Sequence, residues 1–248
     1  MTRTVLDRQL QDLSEQLLRM WALSDEAFEE GLDALNRRDP TLCQAAMSDQ
    51  TLIETTRADI EKQAFRVMCL QQPLGGRDLR FVTAIPAIAA EVDRIGEGGI
   101  EAARSLMQIF SLGGFQESKE REAFSVSEEP EERAMADLLE LGKEARCVLG
   151  ATLKAFAARD ARSATLIWQG NKIINQRYEH LQDELIALLT KMYTLPELRK
   201  KEEGPQRIAY LRLFAQRLMR MADHCNTICE RTVFIAEGIT RETLERAS

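Results

Sequence analysis

Residues 82–106 read VTAIPAIAAEVDRIGEGGIEAARSL, and within them Val82, Ile85, Ala89, Val92, Gly96, Gly99, Ala103 and Leu106 recur at spacings of three and four. Apolar or small residues at those spacings share one stripe of an α-helix. A shift of 126 positions returns the run as Ile208, Leu211, Ala215, Leu218, Ala222, Cys225, Cys229 and Thr232. An acidic stripe follows each seam: Asp93, Glu97 and Glu101 beside the first, Asp223 and Glu230 beside the second. A doubled seam with a doubled edge predicts a helical scaffold built twice.

The breaks around the seams divide the chain into six long helices. The first runs from about Thr4 to Arg38, and Asp39-Pro40 opens the second, which continues to Gln72 and stops at Pro73-Leu74-Gly75-Gly76. Proline suits a first helical turn, and a Pro/Gly cluster ends one. Asp78 is placed to cap the third helix, which Gly113-Gly114 terminates, and a polar, acidic stretch to Pro130 reads as a linker. The fourth helix extends to about Asp160 and the fifth to Tyr193; the sixth follows Gly204-Pro205 nearly to the C-terminus.

The repeat reaches beyond the seam helices. Leu17, Trp21, Ser24, Phe28, Gly31 and Leu35 return 121 positions later as Leu138, Gly142, Ala145, Leu149, Thr152 and Phe156, and Arg38-Asp39 returns as Arg159-Asp160. The offset grows to 126 before the last helix, so one loop of the second half is longer, and loops absorb insertions that packed helices do not. The expected fold is therefore all-α: two tandem three-helix bundles, residues 1–114 and 131–248, joined by a linker at 115–130.

Composition narrows the function classes. With 248 residues, 44% hydrophobic and 29% charged, the chain can bury a substantial core. A formal charge of −7 argues against broad nucleic-acid binding, which needs a basic face. No stretch approaches the ~20 apolar residues of a membrane span, and no signal peptide opens the chain. Cys43, Cys69, Cys147, Cys225 and Cys229 lack disulfide-framework spacing, which suits a reducing cytoplasm.

No catalytic constellation emerges. The only histidines, His180 and His224, lack a glutamate three residues earlier, so the ligand pairs of ferritin-like diiron bundles are missing. Cys225 and Cys229 lie on the seam, where small buried thiols are ordinary. The acidic edge is the remaining candidate. Asp93, Glu97 and Glu101, at i, i+4 and i+8, share a helix face and repel one another, while Gly96, Gly98 and Gly99 each cost about 1 kcal/mol against alanine in a helix. Such a face suits a cation held by carboxylate oxygens; a solvated stripe balanced by Arg94 and Arg104 is the commoner arrangement, since acidic stripes are frequent on helices.

Residues 71–97 resemble the PhoU family, regulators of phosphate uptake in bacteria and archaea. The resemblance rests on the Gln72-Pro73 turn, the Asp78-Leu79-Arg80 helix start and the Asp93-Arg94-Ile95-Gly96-Glu97 motif. The second half matches more loosely through Arg220-Met221-Ala222-Asp223-His224, Ile228 and Glu230. The resemblance implies a cytoplasmic, non-enzymatic negative regulator of phosphate-starvation signalling, usually a homodimer. Its partners would be the ATPase subunit of the phosphate ABC transporter and the sensor histidine kinase.

Some family members hold iron, zinc or other divalent ions on acidic motifs of the second and third helices of each bundle. By position, that implies Gln50, Glu54, Asp93 and Glu97 in the first bundle, with Asp49 and Glu101 as helpers and iron, zinc, manganese or magnesium as the cation. The second bundle presents Asn171, Asn175, Met219 and Asp223, a poorer set for a hard cation. Arg77, Asp78 and Arg80 form an expected partner-binding corner, or simply a helix cap. A PhoU-like adaptor for another transporter or kinase, and a carboxylate-bridged metalloenzyme, stand as alternatives.

Overall fold

The structure, a computed structural model, describes residues 3–71, 73–113, 129–194 and 203–240. Among them are eight helical segments and no strand: α1 (Arg3–Arg37), α2 (Pro40–Ala46), α3 (Gln50–Leu70), α4 (Gly76–Ser111), α5 (Glu129–Ala158), α6 (Ala161–Gly170), α7 (Lys172–Thr194) and α8 (Gly204–Glu237). The six expected helices are all present, but the second of each half is interrupted. α2 gives way to α3 at Met47-Ser48-Asp49, and α6 to α7 at Asn171.

The duplication extends to individual hydrogen bonds. Arg38 and Arg159 both adopt left-handed backbone, with φ of 57° and 51°. The following amides turn back to equivalent carbonyls, Asp39 N to Ala34 O at 3.1 Å and Asp160 N to Ala155 O at 2.9 Å. This is the Schellman closure of a helix end, taken here by arginine where glycine is usual. Asp39 then accepts from the Thr41 amide and Asp160 from the Ser163 amide, capping the next helix in each copy.

Two boundaries differ from the sequence expectation. α4 starts at Gly76 with Gly75 at the cap position, so Asp78 is not the cap; it lies in the first turn and is buried. An acid there still complements the helix dipole. α5 begins at Glu129, inside the expected linker, and the rest of that stretch lies outside the described residues.

Every residue of both seams is buried. α4 and α8 share the largest interface, with α1 on α4 and α5 on α8. Contacts between Arg80 and Ile235, Glu91 and His224, and Glu101 and Arg217 rise along α4 as they fall along α8, so the two helices run antiparallel. The outer pair is antiparallel too: Asp25 meets Arg146, and Arg38 meets Glu132. The two halves thus share one core rather than standing apart as beads on a linker.

The seam glycines have the role their spacing implies. A Cβ on Gly99 would lie 3.0 Å from the Phe28 amide nitrogen and 3.1 Å from the Ala27 carbonyl carbon, and one on Gly96 would lie 2.9 Å from Ser24 Oγ and Ile53 Cδ1. Their bare backbone lets α1 approach closely enough for Ser24 Oγ to sit 3.1 Å from both the Met20 and Val92 carbonyl oxygens. A buried hydroxyl so placed avoids a desolvation penalty and ties α1 to α4.

Candidate functional site

The acidic edge does not converge on one point. Asp93, 3% exposed, turns toward α3, where Arg57 Nη1 donates to its Oδ2 at 2.7 Å. Arg57 Nε also donates to Glu61 Oε1 at 3.0 Å, and the bonds to Asp93 and then Glu61 raise the guanidinium's affinity for its proton. Glu101 turns the other way and pairs with Arg217 on α8. Glu97, between them, is exposed and faces the groove between α4 and α8. The physical reason is helical drift: four residues overshoot one turn by about 40°, so i and i+8 diverge by about 80°.

The other expected ligands of the first bundle are hydrogen-bonded to neighbouring side chains. Glu54 is exposed and accepts from Gln50 Nε2 at 3.0 Å, while Gln50 Oε1 faces Arg104 Nη2 at 3.4 Å. Asp49 precedes α3 without capping it and accepts from Ser48 Oγ at 3.2 Å. Partial burial raises the Asp223 carboxyl above its ordinary value, against the pull of His224 and Arg220. Asn171 is buried, and neither of its amide atoms has a hydrogen-bond partner. Among the described residues no three acidic, histidine or cysteine side chains gather as a metal centre would require. The donor set therefore does not fit the divalent cation that the resemblance implies.

What the fold does bring together is a polar cleft of about 500 Å³ between α4 and α8. Arg94, Glu97, Glu101, Arg217, Arg220 and His224 line it. Arg94 and Arg220 are the same repeat position, 126 residues apart, so the antiparallel seam carries both motif arginines to one place. Beside them Glu91 accepts from Arg94 Nη1 at 2.9 Å and pairs with His224 Nδ1 at 2.7 Å. Burial would raise the Glu91 carboxyl, but the bond and charge of His224, with those of Arg94, outweigh it and leave it below its ordinary value. The sequence reading did not single out Glu91. The signal for the cleft lay in the 126-residue offset, which superposes the two arginines.

The Arg77-Asp78-Arg80 corner is only partly exposed. Arg77 is open to solvent, whereas Asp78 is buried. Arg80 Nε reaches the Ile235 carbonyl at 3.4 Å, near the end of α8, and its guanidinium lies against Gly238. A cation at a helix C-terminus complements the partial negative charge there, so Arg80 helps join the halves. Arg159 completes the corner, 4.6 Å above the Phe81 ring. Burial, then the charge of Arg77, lower its proton affinity, with Asp78 opposing.

The cysteines of the seam are structural. Cys225 and Cys229 are fully buried, and burial raises both thiols, Cys229 to about 11. Thr152 Oγ1 lies 3.7 Å from Cys229 Sγ, linking α5 to α8.

This architecture has known counterparts. The PhoU domain model matches residues 17–106 and again 138–232, one match in each half. The phosphate-specific transport system accessory protein PhoU homolog of Streptococcus pneumoniae is 28% identical over 236 residues, covering 95% of this chain and 97% of that protein. The corresponding Escherichia coli protein is 23% identical over 232 residues, covering 93% and 84%. The crystal structure of PhoU from Pseudomonas aeruginosa shares the fold with a TM-score of 0.78 at 23% identity, over 94% of this chain and 99% of that one. PhoU from Streptococcus pneumoniae superposes with a TM-score of 0.73 at 24% identity, over 94% and 98%. With both halves matched by the same domain, the chain belongs to the PhoU family.

Proposed function

We propose that this protein is a non-enzymatic, cytoplasmic accessory regulator that damps phosphate uptake and phosphate-starvation signalling. The observation that carries this reading is the end-to-end correspondence with phosphate-specific transport accessory proteins, spanning both repeats. No helix among the described residues is long and apolar enough to cross a membrane. The first partner is the ATPase subunit of the phosphate transporter. The sensor histidine kinase of the phosphate response is the second partner, and the working form is a homodimer. Exposed Arg77 is the part of the α4 corner free of a structural role in joining the halves, and it contributes to the partner surface.

Deletion of the gene in its native host tests the reading. Expression of a phosphate-starvation reporter should rise in phosphate-replete medium, and the tagged protein should co-purify with the transporter ATPase. An unchanged reporter overturns the regulatory role. Capture of a different transporter's ATPase would point instead to an adaptor for that system.

A further inference from the structure

The trio Asp93, Arg57 and Glu61 has an informative counterpart in the second half. The offset of 121 carries Arg57 to Tyr178 and Glu61 to Gln182, and the offset of 126 carries Asp93 to Met219. Where the buried carboxylate becomes a thioether, its guanidinium becomes a phenol and the flanking acid an amide. The local bond survives the exchange: Arg57 donates to Glu61 in one copy, and Gln182 Nε2 donates to Tyr178 OH at 2.7 Å in the other. At these three positions charge is present in one copy and absent from the other, where Gln182 Oε1 instead accepts from Arg212 Nε on α8 at 2.6 Å.

The side chain of Asp93 is only 4% exposed. A carboxylate so placed needs a cation, because desolvation of an unpaired charge is prohibitive. A divalent metal would serve, but it would require several oxygen or nitrogen ligands converging on one point. Here three nearby acids have other partners: Glu61 takes Arg57, Glu91 takes Arg94 and His224, and Glu101 takes Arg217. Glu97 is exposed in the groove between α4 and α8, and one buried oxygen without a hydrogen-bond partner, Asp93 Oδ1, does not make a ligand set. Arg104 leans on Gln50 from the opposite helix.

We propose that Arg57 is the resident cation of the first bundle: its guanidinium occupies, at Asp93, the position where the family resemblance leads one to expect a metal ion. The α3–α4 contact then holds without a divalent cation, and Asp93 serves packing rather than metal capture.

Protein purified without chelator, loaded with Mn²⁺ or Zn²⁺ and desalted, is assayed for bound metal by mass spectrometry and for its unfolding temperature. Wild type should retain no more metal than Asp93→Asn, and EDTA should leave Tm unchanged. Arg57→Ala should lower Tm by several degrees, and Arg57→Tyr/Asp93→Met, which transplants the uncharged residues found at the equivalent positions of the second half, should recover most of that loss. If Arg57→Ala does not fold, folding of the double variant carries the same support. One ion per chain that disappears in Asp93→Asn, a Tm that falls on EDTA treatment, or Arg57→Ala unfolding like wild type overturns the proposal.

Discussion

Asp25 and Arg146 are the same position in the two copies of the repeat, and they bind each other. They stand 121 residues apart, with Arg146 Nε donating to Asp25 Oδ1 and Arg146 Nη2 to Asp25 Oδ2, both at 2.9 Å. Because α1 and α5 run antiparallel, a residue that meets its own equivalent lies on the pseudo-two-fold axis. Two identical halves would put like charges together there. Opposite charges instead favour pairing of a first half with a second.

The pair is partly exposed, so its net worth is discounted for solvent screening. Arg146→Ala should cost about 1 kcal/mol of unfolding free energy. Asp25→Arg should cost more, since it sets two guanidiniums against each other across the axis, and Asp25→Arg/Arg146→Asp should recover part of it. Glu29, a second partner of Arg146, limits the recovery. Urea titrations of the four proteins measure the cycle.

Acid should loosen the α4–α8 seam. The Glu91 carboxyl is held below its ordinary value of 4.5 in the folded state, so it binds protons more weakly there than in the unfolded chain. Its contribution is fully present above 4.5 and is lost as pH falls through the depressed folded value. Asp39 and Asp160, lowered by bonds from Thr41 and Ser163, hold their contributions down to 3.8 and lose them as pH falls through their depressed folded values. Glu91→Gln should flatten part of the acid side of a Tm–pH profile while leaving that of the two caps.

Three glycine substitutions separate packing from propensity. Gly150, inside α5, has nothing within 4 Å of an added Cβ, so Gly150→Ala should stabilise by up to about 1 kcal/mol. Gly99→Ala gains the same propensity but meets the backbone of α1. It should come out destabilised, because overpacking costs about 1–3 kcal/mol. Gly96→Ala, which meets the Ile53 and Ser24 side chains, should fall between. Thermal unfolding of the three variants ranks them directly.

Thiol labelling should follow burial. Cys69 and Cys147 are exposed, while Cys43, Cys225 and Cys229 are buried. Burial raises the Cys43 and Cys229 thiols to about 11, which removes reactive thiolate at neutral pH. Iodoacetamide should modify only the two exposed cysteines in folded protein and all five in denaturant, read by intact mass.

The seams, the helix breaks and the capped junctions at Asp39 and Asp160 were legible along the chain. Each depends on neighbours within a few turns, and helical periodicity encodes those directly. The duplication was legible for the same reason, down to the register in which Asp25 and Arg146 coincide. The interruption at 47–49 was not legible, because no proline or glycine marks it, and a single glycine at Gly170 was too weak a signal to place the break at Asn171.

What only the tertiary structure decided was the partner of each charge. Asp93, Glu97 and Glu101 look like one stripe in sequence, yet eight residues of helical drift aim Asp93 at Arg57 on α3 and Glu101 at Arg217 on α8. Arg80 looked like an exposed recognition residue until α8 ended against it. Spacing determines which face of a helix a side chain occupies. Which helix lies opposite that face, and what charge it presents, depends on chain segments tens to more than a hundred residues away.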